Sequence, residues 1–307
     1  VRLLLAGTPE VAVPSLDAVA ASGHELLGVI TRPDAPAGRG KKLRASPVAA
    51  RADELGLPVL RPGHPRDPEF VARLTELAPD CVPVVAYGAL VPQQVIDIPE
   101  RGWVNLHFSL LPRWRGAAPV QHAILAGDAE TGACTFSLVR ELDAGPIYRT
   151  LRTPVGAEET AGELLDRLAV DGAGLLVETL DAIAAGERPV PQPADGATRA
   201  PKIDTGDARL DWADPDDRLD RQIRACSPAP GAWTTLRGER FKIIRARMVG
   251  GDQLPPGELR IERGRVLAGT GTRPLELITV QPPGKRAMPA PDWARGAGLA
   301  AGERFDG

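Results

Sequence analysis

Along the first 185 residues two hydrophobic patterns take turns. Short apolar runs bounded by Gly, Pro or polar residues read as strands at 1–6, 25–31, 59–60, 82–86, 104–107 and 134–139, with an edge strand at 147–151. Between them apolar side chains recur at helical spacing, at 14–21, 47–55 and 69–77, the last with Phe70, Leu74 and Leu77 on one face. Residues 161–184 carry the clearest stripe, made by Leu164, Leu165, Leu168, Leu175, Leu176, Thr179 and Ile183. Strands alternating with helices predict an α/β domain over 1–186, built on a doubly wound, mostly parallel, Rossmann-like sheet. Pro83 sits awkwardly in the fourth strand, because it removes a ladder donor.

The alternation then stops. Residues 187–200 (ERPVPQPADGATRA) hold four Pro or Gly breakers and no apolar face, so 187–204 reads as a linker. Beyond it a helix is expected at 216–226, followed by short strand-like pieces at 241–246, 257–261, 265–268 and 275–280. Short strands separated by Gly and Pro turns predict a small β-barrel over 205–307.

Candidate chemistry gathers at the end of the strand at 104–107. Asn105 and His107 alternate with Val104 and Leu106, so the two polar side chains share one face. The chain leaves the sheet at Ser109-Leu110-Leu111-Pro112, since Pro112 fixes its own φ and donates nothing. Such short patterns are most often hydrogen-bonded structure. The reading shifts because Asp143, followed by Gly145, emerges after the apolar run at 134–139. Asn, His and Asp brought together would supply a donor that polarises a carbonyl, a proton-handling imidazole and an orienting carboxylate. A carboxylate beside an imidazole raises its pKa and favours the cationic form of His107, which would serve either protonated or as a hydrogen-bonding ring.

The string NLHFSLLPRWRGAAPVQ at 105–121, with LDAGPIY at 142–148, resembles the signature of the folate-dependent formyltransferases. It is specific, because three side-chain types stand at set spacing within a loop sequence. The longer match through WRGAAP is similar to the branch whose acceptor is the free amino group of methionyl-initiator tRNA. The resemblance implies a formyl donor, 10-formyltetrahydrofolate, used as co-substrate, and an OB-like C-terminal domain. It implies catalytic roles for Asn105, His107 and Asp143, with Asn105 and His107 stabilising the oxyanion while Asp143 holds His107 and takes a proton from the amine. It places folate at Ser109, Leu110, Leu111 and Pro112, and at Tyr87, Gly88 and Leu90 in the AYGALVP loop. Ser109 is not needed as a nucleophile, because amine attack requires no covalent intermediate. Phe108 and Glu141 depart from the pattern, where smaller residues are common.

The loop RPDAPAGRGKKLRAS at 32–46 places Arg32, Arg39, Lys41, Lys42 and Arg44 within 13 residues and follows the second strand, without helical or strand period. A basic loop over a cleft suits a polyanion held by phosphate contacts, and equally a solvated surface loop. PAGRGKKL resembles a loop that this branch inserts against a tRNA acceptor arm, which implies RNA contacts at Arg39, Lys41 and Lys42. APKID at 200–204 resembles the family's linker end and adds Lys202. Lys285 and Arg286 stand in a stretch, 277–288, similar to the end of that domain.

Composition is that of a globular protein, with 43% hydrophobic and 25% charged residues, and 32 Arg against 5 Lys carry no functional message. Net charge of −3 conceals an asymmetry, −10 over residues 1–220 and +7 over 221–307. A basic C-terminal part agrees with an anionic partner, or with a solvated surface. The three cysteines are far apart, and His24, His64 and His122 lack partners at ligand spacing, so no metal is expected. Val1–Ala6 reads as a strand rather than a signal, and no apolar run spans a bilayer. A cytoplasmic monomer that does not meet membranes is expected. AGTPE at 6–10 has one Gly where the dinucleotide fingerprint needs three, which argues against NAD chemistry. Rival readings are a sugar-nucleotide formyltransferase and a 10-formyltetrahydrofolate hydrolase-type domain, neither expected to carry the GRGKK loop. A glycinamide ribonucleotide formyltransferase ordinarily lacks the second domain, and a silent RNA-binding module would not need Asn105, His107 and Asp143.

Overall fold

A computed structural model describes residues 1–37 and 42–306. The chain runs β1 (Arg2–Gly7), α1 (Val13–Ala20), β2 (Glu25–Ile30), β3 (Ala35–Ala37), β4 (Lys42–Arg44), α2 (Pro47–Glu54), β5 (Val59–Leu60), α3 (Pro68–Leu77) and β6 (Val82–Val85). Then follow α4 (Gln93–Ile96), β7 (Trp103–His107), α5 (Pro119–Ala126), β8 (Glu130–Ser137), β9 (Ile147–Pro154) and α6 (Ala161–Ala184). The remainder forms α7 (Asp216–Ala225), β10 (Trp233–Leu236), β11 (Glu239–Met248), β12 (Leu259–Glu262), β13 (Arg265–Ala268), β14 (Leu275–Gln281), β15 (Met288–Pro289) and α8 (Ala290–Ala297).

Two compact units divide these elements. The first holds residues 1–116, 130–154 and 165–199; the second holds 117–129, 155–164 and everything from 200 onward. Helix α5 and the segment 155–164 therefore pack with the C-terminal part. The apolar side chains Ala118 and Leu125 join its core, and Gln121 donates to the carbonyls of Ala225 and Ala229, both at 3.0 Å.

The first unit is a seven-stranded sheet in the order β5-β2-β1-β6-β7-β8-β9. It is parallel from β5 to β7, and antiparallel where β8 meets β7 and β9 meets β8. The expected mostly parallel, doubly wound sheet is thus present, with an antiparallel edge that strand–helix alternation did not reveal. Leu4, Ala6, Ile30, Val82 and Val84 of its strands form a core with Phe70 and Leu74 of α3. Pro83 is accommodated by a gap: β1 and β6 pair at Ala6↔Val84 and Gly7↔Val85, with one isolated bridge at Leu3↔Cys81. The loop at 32–46, expected to lack strands, folds as the short antiparallel pair β3–β4, with Ala35 opposite Arg44 and Ala37 opposite Lys42.

The second unit carries a six-stranded antiparallel sheet, β10-β11-β14-β13-β12 with β15 on β14. Its C-terminal segment ties the two edges together: Asp306 bridges to Thr235 of β10, and Arg304 to Glu258 beside β12. That closure gives the OB-like curl its core. Trp212 stacks on Phe305 with centroids 5.1 Å apart, and Phe241 packs between Phe305 and Trp293. The Trp212 indole is satisfied by Thr234 Oγ1 at 3.1 Å, as a buried donor requires.

Candidate active site

The site forms in the first unit where β7 ends. Asn105 and His107 lie on one face of the strand, opposite Phe136 and Cys134 of β8 respectively. Asn105 is half-buried, and its side-chain amide makes no hydrogen bond among the described residues. His107 is buried, with Phe136 edge-on at 6.2 Å between centroids. The His107 Nε2 lies 2.9 Å from the Trp114 carbonyl. A carbonyl only accepts, so Nε2 carries the proton. Burial lowers the His107 pKa and outweighs the nearby Asp143 charge and the Trp114 contact, which raise it. The favoured cation is corrected to a neutral imidazole: removing a ring from water penalises charge more than the neighbouring carboxylate repays.

Asp143 arrives by a different route from the one its position suggests. Because β8 runs antiparallel to β7, its last residue, Ser137, pairs with Val104 near the start of β7. The connection 138–146 returns Asp143 to the site, where its Oδ2 accepts from the Gly116 amide at 2.8 Å. Asp143 acts on His107 through its charge, while the direct hydrogen bond to the ring belongs to the Trp114 carbonyl. Trp114 and Asp143 both have positive φ, +60° and +50°. Left-handed backbone at a non-glycine residue costs on the order of 1–3 kcal/mol, and persists where surroundings enforce it.

Those surroundings come largely from residues 190–199. Val190 exchanges backbone bonds with Ile147, at 2.8 and 2.7 Å. Gln192 donates to the carbonyls of Asp143 and Gly145, both at 2.8 Å, and accepts from Arg115 at 2.7 and 3.2 Å. Arg115 also lies 3.5 Å from Glu141. Thr198 Oγ1 accepts from the Trp114 amide at 2.9 Å, and its carbonyl accepts from the Arg115 amide at 2.9 Å. Their Pro and Gly content predicts a linker. The Pro-rich stretch has no periodicity to betray a structural role; the single-residue signals, Gln192 and Thr198, become legible only once folded.

The other expected site residues distribute unevenly. Ser109 is fully buried and donates to the Arg113 carbonyl at 2.6 Å, which closes the turn. Leu111 and Pro112 are buried and Leu110 half-buried in the same turn. In the loop after β6, Tyr87 is buried in the core, and its carbonyl accepts from Thr8 Oγ1 at 2.8 Å. Gly88 has φ +81°, and Leu90 is 78% exposed. Lys42 is exposed on β4, whereas Arg39 and Lys41 lie outside the described residues. In the second unit, Lys202 lines a cavity of about 730 Å³ together with His122, Arg209, Arg218 and Cys226. Among the described residues no group of three or more His, Cys, Asp or Glu could hold a metal ion, and no helix is long and apolar enough to cross a membrane.

Comparison with known proteins adds an independent line. A family profile described as "Formyl transferase" matches residues 1–180, and one described as "Formyl transferase, C-terminal domain" matches 202–298. Over 98% of its length the chain is 61% identical to a protein of Salinispora arenicola named methionyl-tRNA formyltransferase, covering 99% of that protein. A Thermobifida fusca protein of the same name is 60% identical over 99% of this chain and 99% of its own length. Among solved structures, HypX from Aquifex aeolicus in complex with tetrahydrofolic acid superposes with a TM-score of 0.66 at 19% identity. That match covers 97% of this chain and 46% of HypX, and shows a shared fold.

Proposed function

The chain belongs to the formyl transferase family, and from that premise we propose that it transfers the formyl group of 10-formyltetrahydrofolate to the amino group of methionyl-initiator tRNA, making formylmethionyl-tRNA for translation initiation. The observation that carries the chemistry is that His107 and Asp143 both reach the Trp114–Gly116 turn, with Asn105 on the His107 face of β7. The acceptor is supported by relatives of that name matched over nearly their whole length. A tetrahydrofolate complex on the same fold supports the donor.

The roles follow from what amine acylation demands. The amine nitrogen attacks the formyl carbon and leaves a negative oxygen on a tetrahedral centre. The unpaired Asn105 amide donates to that oxygen, as does the Nε2 proton of His107, now resting on the Trp114 carbonyl. A neutral imidazole suffices as a donor, so a lowered His107 pKa is compatible with this role. Asp143 takes the proton from the amine, directly or through water, and it passes to N10 of tetrahydrofolate as the C–N10 bond breaks. Ser109 to Pro112 and the 87–90 loop form the folate side. Lys42 and Lys202, with Arg39 and Lys41, contact the tRNA by charge. By function we divide the chain into a catalytic part over 1–186, a linker over 187–204 and a tRNA-binding part over 205–307, in a cytoplasmic monomer.

The test offers one formyl donor to three acceptors in parallel: charged initiator methionyl-tRNA, glycinamide ribonucleotide and a UDP-4-amino sugar. Formylation of the tRNA alone is expected. Transfer only to a small acceptor would overturn the acceptor assignment and keep the chemistry; release of formate with no acceptor would place the chain among the hydrolases.

A further inference from the structure

The two strained residues of the site, Trp114 beside His107 and Asp143 itself, are each gripped from the same distant segment. Asp143 has φ +50° and presents its carboxylate to Gly116; its carbonyl accepts from Gln192 Nε2 at 2.8 Å. Gln192 Nε2 also reaches the Gly145 carbonyl at 2.8 Å, so one amide spans the turn on both sides of Ala144. Trp114 has φ +60° and presents its carbonyl to His107; its amide donates to Thr198 Oγ1 at 2.9 Å. The Gln192 oxygen accepts from Arg115, which is the residue after Trp114, so the same side chain joins both grips.

The sense of each bond matters. Gln192 uses its NH₂ group on the Asp143 turn and its oxygen on Arg115, and an amide flipped end for end would satisfy neither side. Only Gln or Asn offers both, and Asn is shorter by one methylene. A left-handed aspartate relaxes when its carbonyl is released, and a carboxylate then no longer meets a target fixed on another element.

We propose that Gln192 is a positioning residue for formyl transfer, acting through Asp143 by holding its left-handed backbone and tying that turn to the Trp114–Gly116 turn, whose Trp114 carbonyl meets His107. This rests on the reading that Asp143 and His107 serve the reaction. It makes the segment 190–199 a working part of the site.

The test compares Gln192→Glu and Gln192→Ala with the parent, with Asp143→Asn and with the double variant Asp143→Asn/Gln192→Glu, measuring kcat and KM for both substrates. Glu keeps the acceptor for Arg115 and loses the donor to the two carbonyls, so it separates the two halves of the contact. The expected result is a fall in kcat of about 10–100-fold in both single variants, since misplacement of a reacting group by about 1 Å costs on that order. KM for either substrate should change less than about threefold. In the Asp143→Asn background the Gln192→Glu change should cost less than about threefold, because groups that act as a unit are not additive. A kcat for Gln192→Glu within about twofold of the parent overturns the proposal, as does an equal loss in both backgrounds. Loss of near-UV circular dichroism in step with activity in both variants would assign Gln192 to folding and overturn it too. If Asp143→Asn itself stays active, the catalytic reading fails first, and it fails visibly apart from the Gln192 result.

Discussion

At the level of single residues the site depends on competition between burial and charge. His107 is buried beside Asp143, and desolvation wins, lowering its pKa from the ordinary 6.5. A histidine whose folded pKa lies below its unfolded one contributes no pH dependence where both states are neutral. Below about pH 6.5 the unfolded chain takes up a proton that the folded chain refuses, so stability falls as pH falls. Unfolding free energies measured in urea at pH 7.5 and 5.5 should therefore diverge less in His107→Gln than in the parent, by at most about 1.4 kcal/mol per pH unit for one proton. His24, whose pKa is also lowered, is common to both proteins and cancels. A parent that gained stability over the variant on acidification would show that Asp143 outweighs burial.

At the level of elements, the β8–β9 hairpin shows how a turn is placed. Gly145 follows Asp143, and a Cβ built there would stand 1.7 Å from the Ser137 carbonyl oxygen. The backbone of the 138–146 connection thus lies directly on the end of β8, which returns Asp143 to Gly116. The Ser137 amide donates to Pro146 at 2.9 Å across the same closure. Gly145→Ala is expected to open it, costing at least about 2 kcal/mol of stability and most of the formyl transfer, as forcing atoms into fixed, close-packed backbone does. Thermal unfolding and turnover measured together check this; an unchanged Tm with full activity would mean the hairpin yields cheaply. The presence of Gly after Asp143 was legible along the chain. Its cause was not, since strand direction within a sheet depends on partners remote in sequence.

At the level of the whole molecule, the division into compact units cuts across chain order. Within the second unit α5 packs on α7, Gly162 donates to Ser227 at 3.0 Å, and Glu163 pairs with Arg245. Glu158 similarly stands 3.2 Å from Arg247. The +7 balance counted over residues 221–307 therefore overstates the basic character of that unit, because carboxylates from 155–164 belong to it. A chain ended at residue 199 would strip α5 of α7 and of the core against which Ala118 and Leu125 pack. Each large apolar side chain so exposed costs about 1.5–3 kcal/mol. Fragment 1–199 is expected to aggregate or unfold without a cooperative transition. A soluble fragment with a sharp transition near that of the full chain would show that the first unit folds without those contacts.

Local pattern alone determined the alternation of strands and helices and the short-stranded β second part, and it singled out Asn105, His107 and Asp143 as candidates, because periodicity and residue type are written in consecutive positions. It also carried the family resemblance, for the signature lies in two short stretches of consecutive residues, 105–121 and 142–148. Tertiary structure decided the antiparallel edge, the neutral state of His107, the gap that admits Pro83 and the role of residues 190–199. Each depends on what lies across the sheet or beside a turn: a ladder partner, a dry pocket, or a carbonyl offered from 49 residues away, as Asp143 offers its own to Gln192. Such facts are properties of closure, and no stretch of chain holds them before it closes.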